Sequence, residues 1–378
     1  MKPKQKYLFL YLKTGGGHLA PAKSISSYIQ KHHPEEIETI VADGFTNVAG
    51  LVRSTIEDGY RQLQIRAKWL YTIIYAVNKI PFMAESLNVL ITRFVKPKLS
   101  RLIEKEQPDK IIILHFFLIK SVYDTLKQLG KTIPVFTIVT DPYTAHPLWF
   151  LRKDLNMIVF SERMKKHAVK KGISDKNINV FPFIIAEKFS TEMNEEEKIK
   201  FKQLHKINSD KKNILIVGGG DGIPKGTRIL RALLNADIDV NINIVCGKNE
   251  ELLHNANVLA KRFENLRVFG FVDFIYELIN VSDVVITKCG ASTIFEILSI
   301  KKVPVINDYL WEQEKGNVEF IVDKKFGIFE RDINKLPVLI KKLILDQNYY
   351  DSYRNRIIEE HLENGTTKVS EFIIMNNN

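Results

Sequence analysis

Short runs of Val, Ile, Leu and Phe recur along the chain, each the length of one strand and each followed by a helix-length amphipathic stretch. Tyr7–Leu12, Glu38–Ala42, Lys110–Leu114, Val135–Val139 and Met157–Phe160 form a first series. Asn213–Val217, Asn241–Cys246, Arg267–Phe269, Asp283–Thr287 and Val303–Ile306 form a second. Between them helices are expected at His18–Lys31, Arg163–Lys171, Thr227–Leu234, Ser292–Ser299 and Glu314–Asp323. Strands that are apolar along their length and separated by helices belong in parallel sheets covered on both faces. The expected class is α/β, with two Rossmann-like parallel sheets. A chain of 378 residues has room for both. The polar stretch Glu187–Lys212 separates the series, so residues 1–186 are read as a first domain and 187–354 as a second. The tail Leu336–Ile374 reads as two or three helices.

Composition removes several classes. Hydrophobic residues at 45% and charged residues at 26% exclude wholesale disorder. Two cysteines, Cys246 and Cys289, exclude a disulfide scaffold, and neither sits in a zinc-ligand cluster. No apolar run reaches the roughly 20 residues of a spanning helix, and Tyr7–Leu12 is too short for a signal peptide despite Lys2, Lys4 and Lys6. The expectation is a soluble, cytoplasmic protein. Its net charge of +11 points to an anionic partner.

Each series opens with a strand that runs into a glycine cluster. Thr14-Gly15-Gly16-Gly17-His18 follows the first, and a helix start there would let backbone N–H groups meet an anion. Gly15, Gly17 and Ala20, with Asp43 after the next strand, also fit the loose dinucleotide pattern, which keeps a nicotinamide-dependent oxidoreductase open. His18 favours another chemistry, because the positive end of a helix disfavours imidazolium and leaves a base. Asp141 ends a later strand, followed by His146 and Trp149, where ligand crevices form. Asp141 is a candidate to orient the base, and His146 to hold an acceptor. Alone, each also suits a cap or a surface position.

In the second series Gly218-Gly219-Gly220-Asp221-Gly222 repeats the strand-to-helix glycine cluster. Gly270-Phe271-Val272 comes later, then Lys288-Cys289-Gly290-Ala291-Ser292-Thr293 before a helix that carries Glu296 one turn in. That arrangement describes an anion site with a carboxylate placed for a ribose diol. Gln313, Glu314 and Asn317 supply amides and carboxylates suited to sugar hydroxyls. The Asp237-Ile238-Asp239 triplet lies before a strand, at the end of the sheet away from ligands, and is read as solvated.

These blocks together (GGGH at 15–18, TDPYTAHPLW at 140–149, GGGDG at 218–222 and the run from Gly270 to Asn317) resemble the two-domain GT-B glycosyltransferases of family 28. The resemblance covers nearly the whole chain and lies in the branch of monogalactosyldiacylglycerol synthases and processive diacylglycerol glucosyltransferases. It implies two domains facing a cleft, with a terminal helix at 355–375 returning to the first. It implies a donor site in which Phe271 and Val272 seat uracil, Glu296 holds the ribose and Gly290, Ser292 and Thr293 take the diphosphate. Gln313, Glu314 and Asn317 would take the sugar, Gly17 and Gly218, Gly219 and Gly220 would line the donor, and His18 would be the general base with Asp141 assisting. Where the branch carries glycines before the helix threonine, this chain has Gly290-Ala291-Ser292. Ala291 resembles the related N-acetylglucosaminyltransferase of lipid II synthesis, so glucose, galactose and N-acetylglucosamine all stay open as donor sugars.

Residues 61–101 hold eight basic side chains against the single acid Glu85, interleaved with apolar residues that include Trp69, Phe82 and Phe94. Such a mixture reads as an amphipathic membrane-surface element, with Arg93, Lys96 and Lys98 toward lipid head groups. A helical layer packed on the first sheet is the other reading, and no nucleic-acid-binding module accompanies the charge. The expected activity is inverting transfer of a hexose from a UDP-sugar to diacylglycerol, at the cytosolic face of the membrane and with no cofactor or metal. The alternatives are N-acetylglucosamine transfer to a polyprenyl-linked acceptor, the oxidoreductase, and a catalytically silent sugar-nucleotide sensor.

Overall fold

The computed structural model describes residues 3–13, 16–45, 81–236, 238–310 and 312–376. The chain divides into two compact units. One comprises Met1–Glu187, Trp311–Gln313 and Asn364–Asn378; the other comprises Lys188–Leu310 and Glu314–Glu363.

In the first unit the described strands are β1 (Gln5–Tyr11), β2 (Ile37–Asp43), β3 (Lys110–Ile113), β4 (Val135–Ile138), β5 (Asn156–Val159) and β6 (Ile178–Val180). They form one parallel sheet in the order β2-β1-β3-β4-β5-β6. Tyr7–Leu10, Ile111–Ile113 and Met157–Val159 are fully buried, as expected of strands covered on both faces. The covering helices are α1 (Gly16–His32), α2 (Pro81–Glu106), α3 (Phe116–Leu129) and α4 (Glu162–Lys170). On α2, Ala84, Ile91, Val95, Leu99 and Ile103 recur at helical spacing and pack into the core. Gly130 ends α3 at a φ of 61°, the left-handed cap that glycine adopts without penalty.

The second unit begins with α5 (Glu195–Leu204), started by a capping box in which Asn194 and Glu197 bond each other's backbone N–H. The stretch placed between the strand series is therefore partly helical, because three acids at its N-terminus suit the helix dipole. Next come β7 (Lys212–Val217), α6 (Gly226–Leu234), β8 (Val240–Val245), α7 (Glu250–Ala260), β9 (Leu266–Phe269) and α8 (Ile275–Asn280). After these run β10 (Val284–Lys288), α9 (Ala291–Ser299), β11 (Val303–Asp308), α10 (Lys315–Asp323), β12 (Ile328–Phe329), α11 (Leu336–Leu345) and α12 (Gln347–Glu359). The sheet order is β12-β11-β10-β7-β8-β9, all parallel, over a core of its own.

The last helix, α13 (Thr366–Met375), belongs to the first unit. The buried Lys110 ammonium donates to the carbonyls of Ile373, Ile374 and Asn376 at 2.7–2.8 Å, capping the end of α13 with a cation. Tyr28 on α1 donates to Glu371 at 2.9 Å.

In both sheets the chain reverses direction across the sheet once, between β1 and β3 and between β7 and β10. Ligands of open α/β sheets bind at the carboxyl ends of the strands beside such a point. Topology thus marks one expected ligand-binding end in each unit.

Candidate active site

At the first unit's crevice, β1 leads into α1, which starts at Gly16 rather than at His18. His18 is consequently the third residue of the helix, still in the first turn, and only 8% exposed. Its Nδ1 lies 2.8 Å from the Thr140 hydroxyl at the end of β4. Burial draws the imidazole down to about 4, against the opposing pull of a hydrogen bond to the Leu114 carbonyl. His18 is therefore uncharged through the neutral range, as a general base must be.

Asp141 follows Thr140 and is 9% exposed. Its carboxylate accepts from the Trp149 indole N–H at 3.2 Å and from the Gln313 amide at 3.0 Å. Gln313, counted with this unit, in turn receives the Thr144 hydroxyl on its carbonyl at 2.7 Å. Trp149 is wholly buried and His146 is 3% exposed, so neither is a membrane-surface contact. His146 instead caps the short 3₁₀ turn Pro147–Phe150 by accepting from Leu148 N, and its ring stacks on Phe116 at 4.6 Å. Burial holds it down to about 3. A strand end is usually open, which is why the sequence suggests His146 and Trp149 for the acceptor; here the turn from Pro147 carries buried Leu148, Trp149 and Phe150.

One residue of this cluster was not singled out in the sequence. His115 lies between β3 and α3, 1% exposed, with its ring centroid 4.5 Å from that of His18. Its only sequence signal is position, directly after a strand at the switch point. Asp43, the alternative ribose ligand, is taken up by its own turn: its carboxylate accepts from Phe45 N at 3.0 Å and lies 3.8 Å from Lys13.

At the second unit's crevice, the glycines after β7 have backbone reasons to be glycine. A Cβ on Gly218 would sit 2.3 Å from the Gly222 carbonyl oxygen, and Gly219 has a φ of 75°. Phe271, after β9, is 66% exposed, with Lys248 Nζ 5.5 Å from the ring centroid, and Val272 is half-buried beside it. Helix α9 starts after Gly290, which offers no side-chain cap, so its first N–H groups are not capped by that residue. The Ser292 hydroxyl in its first turn is buried with no hydrogen-bond partner, a cost of roughly 1–3 kcal/mol that a ligand oxygen would relieve. Thr293 follows it, half-buried.

Glu296 sits one turn further, half-buried, and burial pushes its carboxyl up to about 8 against the opposing Lys188 ammonium. Glu314 takes the Leu310 N–H and stands 3.7 Å from Lys288 Nζ. Asn317 is 3% exposed and donates to the Cys289 carbonyl at 2.9 Å, so its amide N–H braces the β10–α9 loop rather than reaching a sugar. Only its Oδ1 stays unpartnered. In the acidic triplet, Asp239 stands just before β8, at the opposite end of the sheet, paired with Lys211; Asp237 lies outside the described residues.

Of the basic segment, Trp69 and the other residues up to 80 lie outside the described residues. The rest is α2, whose outer face exposes Phe82 at 76%, Met83, Val89, Leu90, Arg93 and Phe94, with Lys96 and Lys98 half-buried. One face of α2 packs on the core, as the helical-layer reading expects, and the other is basic and apolar. Among the described residues no helix is long and apolar enough to cross a membrane.

Residues 18–185 match the family model of monogalactosyldiacylglycerol (MGDG) synthase, and residues 213–361 match the glycosyltransferase family 28 C-terminal domain. Monogalactosyldiacylglycerol synthase 1 of Arabidopsis thaliana is 27% identical over 355 residues, covering 91% of this chain and 65% of the plant protein. The chain thus spans just under two thirds of that relative. Processive diacylglycerol beta-glucosyltransferase of Bacillus licheniformis is 26% identical over 376 residues, covering 99% of this chain and 96% of the relative. Among solved structures, Acinetobacter baumannii MurG superposes with a TM-score of 0.60 at 15% identity, covering 99% and 100% of the two chains. HepE of Anabaena in complex with UDP-glucose superposes at 0.59 and 12% identity, covering 98% of each. These superpositions establish the GT-B fold.

Proposed function

Because the chain belongs to the family 28 glycosyltransferases, we propose that it transfers a hexose from a UDP-sugar to diacylglycerol, with inversion, at the cytosolic face of a membrane. The observation that carries this reading is His18: buried, uncharged at neutral pH and set at the strand-end crevice of the first unit. The relatives named as diacylglycerol glycosyltransferases supply the acceptor class, and the UDP-glucose complex on the same fold supplies the donor class.

His18 takes the proton of the acceptor hydroxyl as that oxygen attacks the anomeric carbon, and the bond to UDP breaks on the opposite side. A single displacement of this kind inverts the centre, and a positioned base contributes about 10²–10⁴-fold. Asp141 holds Trp149 and Gln313 by hydrogen bonds, and the residue before it, Thr140, meets the base. In the second unit, Phe271 and Val272 take the uracil and Glu296 the ribose diol. The α9 N-terminus, Ser292 and Thr293 take the diphosphate. Helix N–H groups and Lys288 neutralise the departing phosphate in this reading, with no metal called for. The outer face of α2 supplies attachment to an anionic surface.

Purified protein with anionic liposomes, diacylglycerol and a panel of UDP-sugars, with products read by mass, tests the proposal. A mono- or diglycosyl diacylglycerol is expected. Glycosylation of a polyprenyl acceptor alone, or no product from any donor, overturns it.

A further inference from the structure

We propose that His115 is a positioning residue for His18, holding that imidazole in one orientation at the end of β1. The inference rests on the reading of His18 as the base.

His115 is itself immobilised from two sides. It is the N-cap of α3, and its Nδ1 accepts from the Phe117 N–H at 3.3 Å. An accepting Nδ1 places the proton of the neutral ring on Nε2, which fixes the tautomer. The ring is also held against Phe116 at 4.3 Å and Phe117 at 5.3 Å. A ring that can neither turn nor exchange its proton between nitrogens is a fixed wall, and its next neighbour at 4.5 Å is the His18 ring. Residues 114 and 115 therefore meet His18 twice, through the Leu114 carbonyl and through the His115 side chain. With Thr140 on Nδ1, His18 is confined on three sides.

Charge reinforces the arrangement. Two buried imidazoles this close do not both take protons, and burial together with His18 and His146 keeps His115 well below the ordinary histidine range. When His18 accepts the acceptor proton, its neighbour is an uncharged ring that does not oppose it.

Two substitutions separate position from folding. Asn is a favoured N-cap, so His115→Asn offers an amide oxygen to Phe117 N–H and preserves the start of α3 while removing the ring. His115→Phe keeps a ring and loses the cap. For His115→Asn we expect kcat to fall about a hundredfold with the donor KM unchanged, as misplacement of a reacting group by about 1 Å does. Side-chain ¹⁵N shifts of His18 should change as the freed ring leaves its hydrogen bonds to Thr140 and Leu114. His115→Phe should retain more turnover than His115→Asn. Unchanged kcat and unchanged His18 ¹⁵N shifts in His115→Asn overturn the proposal. If His18→Ala keeps full turnover in the same assay, the base reading falls instead, and the ¹⁵N shifts alone decide whether His115 holds His18.

Discussion

Two side chains, the buried His18 in one unit and the half-buried Glu296 in the other, have acidities displaced in the sense that the proposed chemistry uses. His18 is drawn down to about 4, so it is an available base at any pH above that value. His18→Ala should lower turnover by about a hundredfold or more while leaving UDP affinity intact, because the base acts in the transition state alone. Equal turnover in steady-state assays would move the role to another group. Glu296 is pushed up to about 8, so the free site holds a protonated carboxyl at neutral pH. Ribose hydroxyls donate to an ionised carboxylate, so binding and ionisation are linked, and affinity should climb as pH rises toward 8. The size is about tenfold per pH unit below that value. Uridine is the right probe, since it carries the diol without titrating phosphates. Calorimetry at pH 6.5 and 8.5 should show the rise, and Glu296→Gln should abolish it; the same rise in the Gln variant would remove Glu296 from the ribose.

At the scale of elements, α2 carries a prediction of its own. Its inner residues are tied to the core, whereas Phe82, Leu90 and Phe94 remain exposed beside Arg93, Lys96 and Lys98. Changing those three cations to Gln should reduce attachment to anionic vesicles and leave UDP binding alone. Salt should weaken attachment of the native protein as the Debye length shortens from about 10 Å at 0.1 M to about 3 Å at 1 M. Sedimentation with neutral and anionic vesicles decides; equal binding to both would mean that the charges only solvate the helix. Most elements were legible in the sequence because apolar strands and amphipathic helices leave periodic traces. The exceptions are informative. Ile178–Val180 and Ile328–Phe329 are edge strands of three and two residues, too short for any period to register. The start of α1 moved to Gly16 because glycine carries no apolar side chain to mark a helical face. The site divided along the same line. Glycine clusters and strand-end polar residues are legible as the strand-to-helix junctions at the switch points. The burial of Trp149 and His146, the bracing role of Asn317 and the His18–His115 contact depend on side-chain packing across elements distant in sequence, which no local pattern encodes.

At the scale of the whole molecule, the two units differ in what acid does to them. The first buries His18, His115 and His146 uncharged, with His167 also drawn down by burial. An unfolded chain protonates each of these near pH 6.5, whereas the folded unit resists protonation to lower pH. The unfolded state therefore binds more protons in that window, and stability falls as pH drops from about 6.5 toward 4. For His18 alone the loss reaches about 3 kcal/mol by pH 4. Among the described histidines of the second unit, His205 is drawn down by burial, and Glu296 works in the opposite sense. Its folded form keeps a proton that the unfolded chain has released above about pH 4.5, so acidification from pH 8 stabilises that unit. Calorimetry should accordingly show one transition moving down by about 10 °C or more between pH 7 and pH 5 while the other moves up or holds. Hydrogen exchange should assign the falling transition to peptides of β1 and β3 and the other to β7 and β10. Two transitions that shift together, or a steady β1, would mean that the buried histidines already carry charge in the native fold, and His18 would lose its standing as a base held ready at neutral pH.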